Sequence, residues 1–164
     1  MIPPSRELLA GIARTLENDV LPELAGATWT ASSIRSCLTL LAHLEERVVH
    51  EGRILYQDNA DLRTLLGRLR TDLSEPLPEA AIGISLVLDV TRPPSGYPSV
   101  EELDATNQRL KAVLEQTITA LHEGRRTLGE DRFQALNGSI LVHLATAAER
   151  DSIMFATAAT KSPL

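Results

Sequence analysis

Cysteine is almost absent from this chain. A single Cys37 excludes an intramolecular disulfide framework and any multi-cysteine zinc or iron–sulfur site. Aromatic residues are equally scarce: Trp29, Tyr56, Tyr97, Phe133 and Phe155 are the whole set, too few to wall a deep apolar pocket. No apolar run approaches the ~18 residues of a membrane span, and Met1–Ser5 lacks the cationic-then-apolar start of a signal peptide. Excess positive charge is missing too: the net charge of −6 argues against a general nucleic-acid binder, which needs basic surface to displace counterions. There is no Gly-x-Ser-x-Gly elbow and no phosphate-cradling glycine loop of the Walker or dinucleotide type. These gaps predict a cytoplasmic protein without cofactor or metal, touching neither nucleic acid nor membrane.

What the chain has in abundance is leucine and alanine, 27 and 19 among 164 residues. Both enter helices at little cost, whereas strands favour β-branched and aromatic side chains. No stretch alternates apolar and polar residues as a half-buried strand does. The fold class read from this is all-α: a single-domain, up-and-down bundle of four long helices with one or two shorter ones.

Apolar spacing places the helices. Ser5–Leu24 carries Leu9, Ile12, Ala13, Leu16 and Val20 on one face, with Pro22 kinking or ending the helix and Gly26 closing it. A second helix runs from Trp29 to Gly52, or on to Tyr56, on the stripe Ile34, Leu38, Leu41, Leu44 and Val48, with Cys37 near its apolar side. The turn formers Gln57-Asp58-Asn59 predict a break, with Asp58 capping a third helix whose face is Leu62, Leu65, Leu66, Leu69 and Leu73. After the connector Ser74–Pro78, Glu79–Val90 is apolar around much of its circumference, which predicts burial between helices or a short inner strand. The segment 91–98 is a Pro-rich crossover. Ser99-Val100-Glu101-Glu102 then reads as a capping box opening the helix of Leu103, Leu110, Leu114, Thr117, Ile118 and Leu121. A last helix follows Gly129, with Phe133, Leu136, Ile140, Leu144 and Ala147 inward and a loose tail at Lys161–Leu164.

Candidate chemistry is sparse. On the second helix, a wheel centred on Leu41, Leu44 and Val48 turns His43, Glu46, Arg47 and His50 towards water, so no metal site is expected there. On the last helix, His143 and Arg150 lie along one margin of the apolar stripe, and Asn137 and Asp151 project onto it. Buried polar groups need partners, so these four form either a structural network or a small-ligand or metal site. Arg92 and Tyr97 in the crossover, and Trp29 at a helix start, are candidate partner contacts, since these residue types are enriched at binding hot spots. Trp29 alternatively packs as a staple over its helix end.

The runs Arg6-Glu7-Leu8-Leu9 and Asp19-Val20-Leu21-Pro22-Glu23-Leu24-Ala25-Gly26, followed by Ile34-Arg35-Ser36-Cys37-Leu38, resemble an uncharacterised family of small bacterial helical proteins. Members are often encoded beside aminoglycoside-phosphotransferase-like kinases and acyl-CoA dehydrogenases. The resemblance spans roughly residues 5 to 70, and the chain reads Ile34–Leu38 where the family has Arg-Val-Ala-x-Asn. It implies an accessory to a neighbouring enzyme and carries over no catalytic residues. The expected role is therefore non-catalytic: association with a second copy or with an enzyme partner, the alternative being a ligand- or metal-binding bundle built on Asn137, His143, Arg150 and Asp151.

Overall fold

A computed structural model of the chain describes residues 3–92 and 96–160, with side chains up to residue 152. Pro93, Pro94 and Ser95 of the crossover and the tail Lys161–Leu164 lie outside the described residues. Every regular element among them is helical: α1 (Ser5–Thr15), a π-helical turn (Leu16–Val20), α2 (Leu21–Glu23), α3 (Thr28–Leu73), α4 (Pro78–Val90), α5 (Val100–Glu123), α6 (Arg125–Leu128) and α7 (Glu130–Thr160). Two compact units divide the chain. One is Gly52–Arg150; the other takes the described parts of Met1–Glu51 and of Asp151–Leu164.

The Gly52–Arg150 unit holds the core. Leu62, Leu65, Leu66, Leu69 and Leu73 of α3 pack with Ala81 and Ile84 of α4, Leu110, Val113, Leu114 and Leu121 of α5, Leu128 of α6, and Phe133, Leu136 and Ile140 of α7. Contacts between the helices give their directions. Arg63 of α3 reaches the carbonyls of Leu88 and Thr91 at the end of α4, so these two run antiparallel. Gly52 lies against Val100 and Asp58 bonds Asn107, so α5 runs parallel to α3. Arg132 bonds the Asp72 carbonyl while Arg150 pairs with Asp61, which makes α7 antiparallel to α3. The order is up, down, up, down, as the short connections require.

Local chemistry sets the joints. At the head of α5, Glu102 N–H donates to Ser99 Oγ (3.1 Å), and Ser99 N–H donates to Glu102 Oε2 (2.7 Å). The Ser99 N–H, and then the Ser99 hydroxyl donating to the same Oε2 (3.0 Å), hold the Glu102 carboxyl below its ordinary 4.5. At the α6–α7 corner, Arg125 lies 4.6 Å from the Phe133 ring centre and pairs with Glu130 (2.6 Å). Hydrogen bonds from Arg125 and then Gln134 draw Glu130 down to about 2. Both carboxyls are depressed, so each contributes above its unfolded pKa and its contribution is lost as pH falls through the folded one. In an acid titration followed by carboxyl NMR, Glu102 is expected to titrate below 4.5 and Glu130 last, near pH 2. Ser99→Ala removes the hydroxyl bond and keeps the backbone N–H, so it should raise Glu102 only part of the way towards 4.5 and leave Glu130 where it is.

In the Gly52–Arg150 unit three sequence readings need correction. The break at Gln57-Asp58-Asn59 does not form, and α3 runs unbroken through Gly52 and Tyr56. Asp and Asn favour turns because their side chains compete for nearby backbone. Asp58 and Asn59 are instead claimed by α5 and α7, so Asp58 caps nothing. On α7 the inward row turns from Ile140 to His143, leaving Leu144 exposed. On α4, Ala81 and Ile84 are buried, but Ile82, Leu86 and Val90 stand 60%, 64% and 68% exposed. The helix expected to be buried all round is covered on one side.

In the other unit, Pro22 has no N–H to continue the α-helical ladder. The backbone widens to a π turn just before it, and Gly26 at φ 101° ends the segment. The inward row of α3 in this unit is Ala31, Ile34, Leu38, Ala42, Glu46 and His50, with Glu46 buried and 3.5 Å from His50 Nε2. This corrects the wheel reading in part: Leu41 is half-buried and Arg47 exposed as expected, but Leu44 and Val48 are exposed, Glu46 is buried, and His43 and His50 are half-buried. Cys37 is exposed rather than set against apolar neighbours. Trp29, at 84% exposure, is no staple.

Candidate functional site

The densest polar constellation is in the Gly52–Arg150 unit. It is built from residues that occupy apolar-stripe positions. Asp58 stands one and two turns before Leu62 and Leu66 on α3, and Asn107 one and two turns before Leu110 and Leu114 on α5, so both are carried inward by their helices. Asn107 Nδ2 donates to Asp58 Oδ2 (2.7 Å) and to Asn59 Oδ1 (3.0 Å), and Asn59 Nδ2 donates to the Leu103 carbonyl (2.9 Å). Lys111 Nζ lies 3.2 Å from Asp58 Oδ2. From α7, Arg150 Nη1 is 3.6 Å from Asp58 Oδ1 and its Nη2 pairs with Asp61. Asp58 Oδ1 and Arg150 Nη1 make no hydrogen bond, yet each is the other's ionic partner.

Two carboxylates meet two cations, so the cluster is electrically balanced. A balanced network with Asp58 and Arg150 enclosed and Lys111 and Asp61 at its rim binds helices together and leaves no spare charge for a substrate. It clasps α3, α5 and α7. The sequence signal for it was present: Asp58 shares the stripe of Leu62, Leu66, Leu69 and Leu73, but its turn-forming neighbours pointed to a loop.

The four expected site residues are not drawn into one place. Arg150 belongs to this clasp. His143 is half-buried in a shallow groove of about 330 Å³ with Asp61, Arg68 and Ser139. Asn137 is half-buried one turn after Phe133, and among the described residues no hydrogen bond or ion pair joins any two of Asn137, His143 and Arg150. Asp151 belongs to the other unit. No group of three His, Cys, Asp or Glu side chains among the described residues is placed to hold a metal ion.

Arg92 is exposed at the end of α4, 3.5 Å from Asp89, and Tyr97 is fully exposed. Beside Arg92 lies a cleft of about 380 Å³ that the sequence did not announce, lined by Arg63, Arg92 and Arg109 together with Tyr56, Val90 and Leu103. Arg63 Nη1 donates to the Thr91 carbonyl and to Thr91 Oγ1 (2.9 Å), and Nη2 donates to the Leu88 carbonyl (3.3 Å). Burial, and then the charge of Arg92, lower its pKa from the ordinary guanidinium value.

No described helix is long and apolar enough to cross a membrane. No protein-family model, curated protein or solved structure matches this chain.

Proposed function

We propose that this chain is a non-catalytic association module that pairs with a second copy of itself through the outer face of α4. One observation supports this above the others: Ile82, Leu86 and Val90 repeat every fourth residue, so they form one exposed row on successive turns. A helix apolar on all sides belongs inside a core, and the chain covers only one side of this one. Exposed contiguous apolar rows mark interaction surfaces.

The row is complementary to itself. Laid antiparallel about a two-fold axis through Leu86, one α4 sets Ile82 against Val90 of the second copy and Glu79 near its Arg92. The helix dipoles then oppose, and between Glu79 and Asp89 the helix carries no charge to repel a chain of net charge −6. Thirteen residues give a strip only about 20 Å long, short of a permanent interface, so the pairing is reversible. Arg92 and Tyr97 follow α4 in the chain and are the flanking contacts; Trp29 is a contact residue of the other unit.

Sedimentation velocity tests the reading. The protein is expected to show a concentration-dependent monomer–dimer equilibrium around 100 µM. Leu86→Glu should make it monomeric with unchanged helicity, and Leu144→Glu, on α7, should leave the equilibrium alone. A wild-type monomer throughout that range, or a Leu86→Glu protein that still dimerises, would sink the proposal.

A further inference from the structure

Positive charge is in excess in the arginine-lined cleft, where three guanidinium groups and one carboxylate stand among the described lining residues. The clasp is neutral and the whole chain is acidic, yet three guanidinium groups border this one concavity. Arg63 hydrogen-bonds only to carbonyl and hydroxyl oxygens, which leaves its Nε–H and one Nη2–H without a protein acceptor among the described residues. No carboxylate pairs with Arg63 or Arg109 among those residues. The single acid in the lining, Glu102, has its Oε2 engaged by Ser99 in the capping box. Carbonyls hold Arg63 in position but carry no full charge, so they orient the cation without neutralising it.

The remainder of the lining is mainly apolar, with Asn59, Thr91 and Thr106 as its polar members. The Tyr56 ring, Val90 and Leu103 border the arginines, and Tyr56, Pro98 and Leu103 also line a second cleft of about 630 Å³. A charged pole therefore adjoins a mainly apolar cleft that carries Arg53 at its wall, all within the Gly52–Arg150 unit.

We infer that this cleft binds a small amphiphilic anion: a carboxylate or phosphate held by Arg63 and Arg109, attached to a flat or short apolar body lying along Tyr56 and Leu103. Guanidinium forks match both anions in geometry, and the apolar shelf makes a bare inorganic ion the poorer ligand. The cleft and the pairing row meet at Val90 and Arg92, but Arg63, Arg109, Tyr56 and Leu103 lie outside the row, so Leu86→Glu should abolish pairing and leave probe binding unchanged.

Phenyl phosphate and benzoate are the probes, each titrated into the ¹⁵N-labelled full chain and followed by NMR of the backbone and the arginine Nε–H groups. At least one is expected to give saturable shifts at Arg63 and Arg109, with a Kd of about 1 mM or tighter; which one does so identifies the anion. Arg109→Glu, at an exposed position with no ion pair among the described residues, should weaken binding about tenfold or more with the fold retained. Arg63→Lys should weaken it as well, since a lysine keeps the charge and loses the fork. Failure of both probes to saturate, or unchanged affinity in Arg109→Glu, would overturn the inference. So would benzyl alcohol or inorganic phosphate binding as tightly as the better probe.

Discussion

Asp58→Ala is expected to destabilise the protein by about 3 kcal/mol, measured as a lower urea midpoint at unchanged slope. The carboxylate is buried and serves three elements. It accepts from Asn107 (2.7 Å) and faces Lys111 (3.2 Å) and Arg150 (3.6 Å). Deleting it strands Arg150, whose side chain is only 13% exposed and which then keeps Asp61 as its sole carboxylate. Removing one member of a buried ion pair costs far more than the pair itself contributes, because the remaining charge stays desolvated. Asp58→Leu with Arg150→Leu should therefore recover much of the loss. Lys111→Ala, at the exposed rim, should cost less than about 1 kcal/mol. A double variant no more stable than Asp58→Ala would show that Asp58 acts by something other than charge balance.

Leu66→Ala is expected to cost about 3 kcal/mol, and the same change at Leu44 well under 1 kcal/mol. Leu66 is fully buried among α4, α5 and α7 side chains, so truncation removes transfer free energy and opens a cavity. Leu44 is already exposed to water. The pair is informative because apolar spacing alone assigns both residues to a core stripe. Equal losses at the two sites would restore that assignment and displace the observed inward row of Ala42, Glu46 and His50. Thermal or chemical denaturation of both variants decides it.

Much of the fold could be read directly. Leu62 to Leu73 is so strongly periodic that only one face can be inward, and that face is the core. The Ser99–Glu102 box is a local device whose partners are three residues apart, so no distant contact is needed to form it. Gly26 and Pro22 act through their own backbone chemistry and end their segment as their types require.

The misreadings share one cause. Asp58 and Asn59 resemble a turn because their local alternatives to helix are good, yet Asn107, 49 and 48 residues away in sequence, offers better ones. Leu44, Val48 and Leu144 look like core because leucine and valine favour burial, yet Glu46, His50 and His143 occupy the inward rows. A stripe containing polar residues is chosen by the partners available across the interface, and a helical wheel does not contain them.

Leucine and alanine content, helix spacing, the α5 cap and the missing catalytic motifs follow from the order of residues along the chain, because each depends on neighbours within a turn or two. Which polar residues turn inward, which side of α4 stays uncovered, and that Arg63 and Arg109 line one cleft depend on contacts between helices tens of residues apart. Those choices arise only on packing, when a buried charge must find its counter-charge and an apolar face must find a cover.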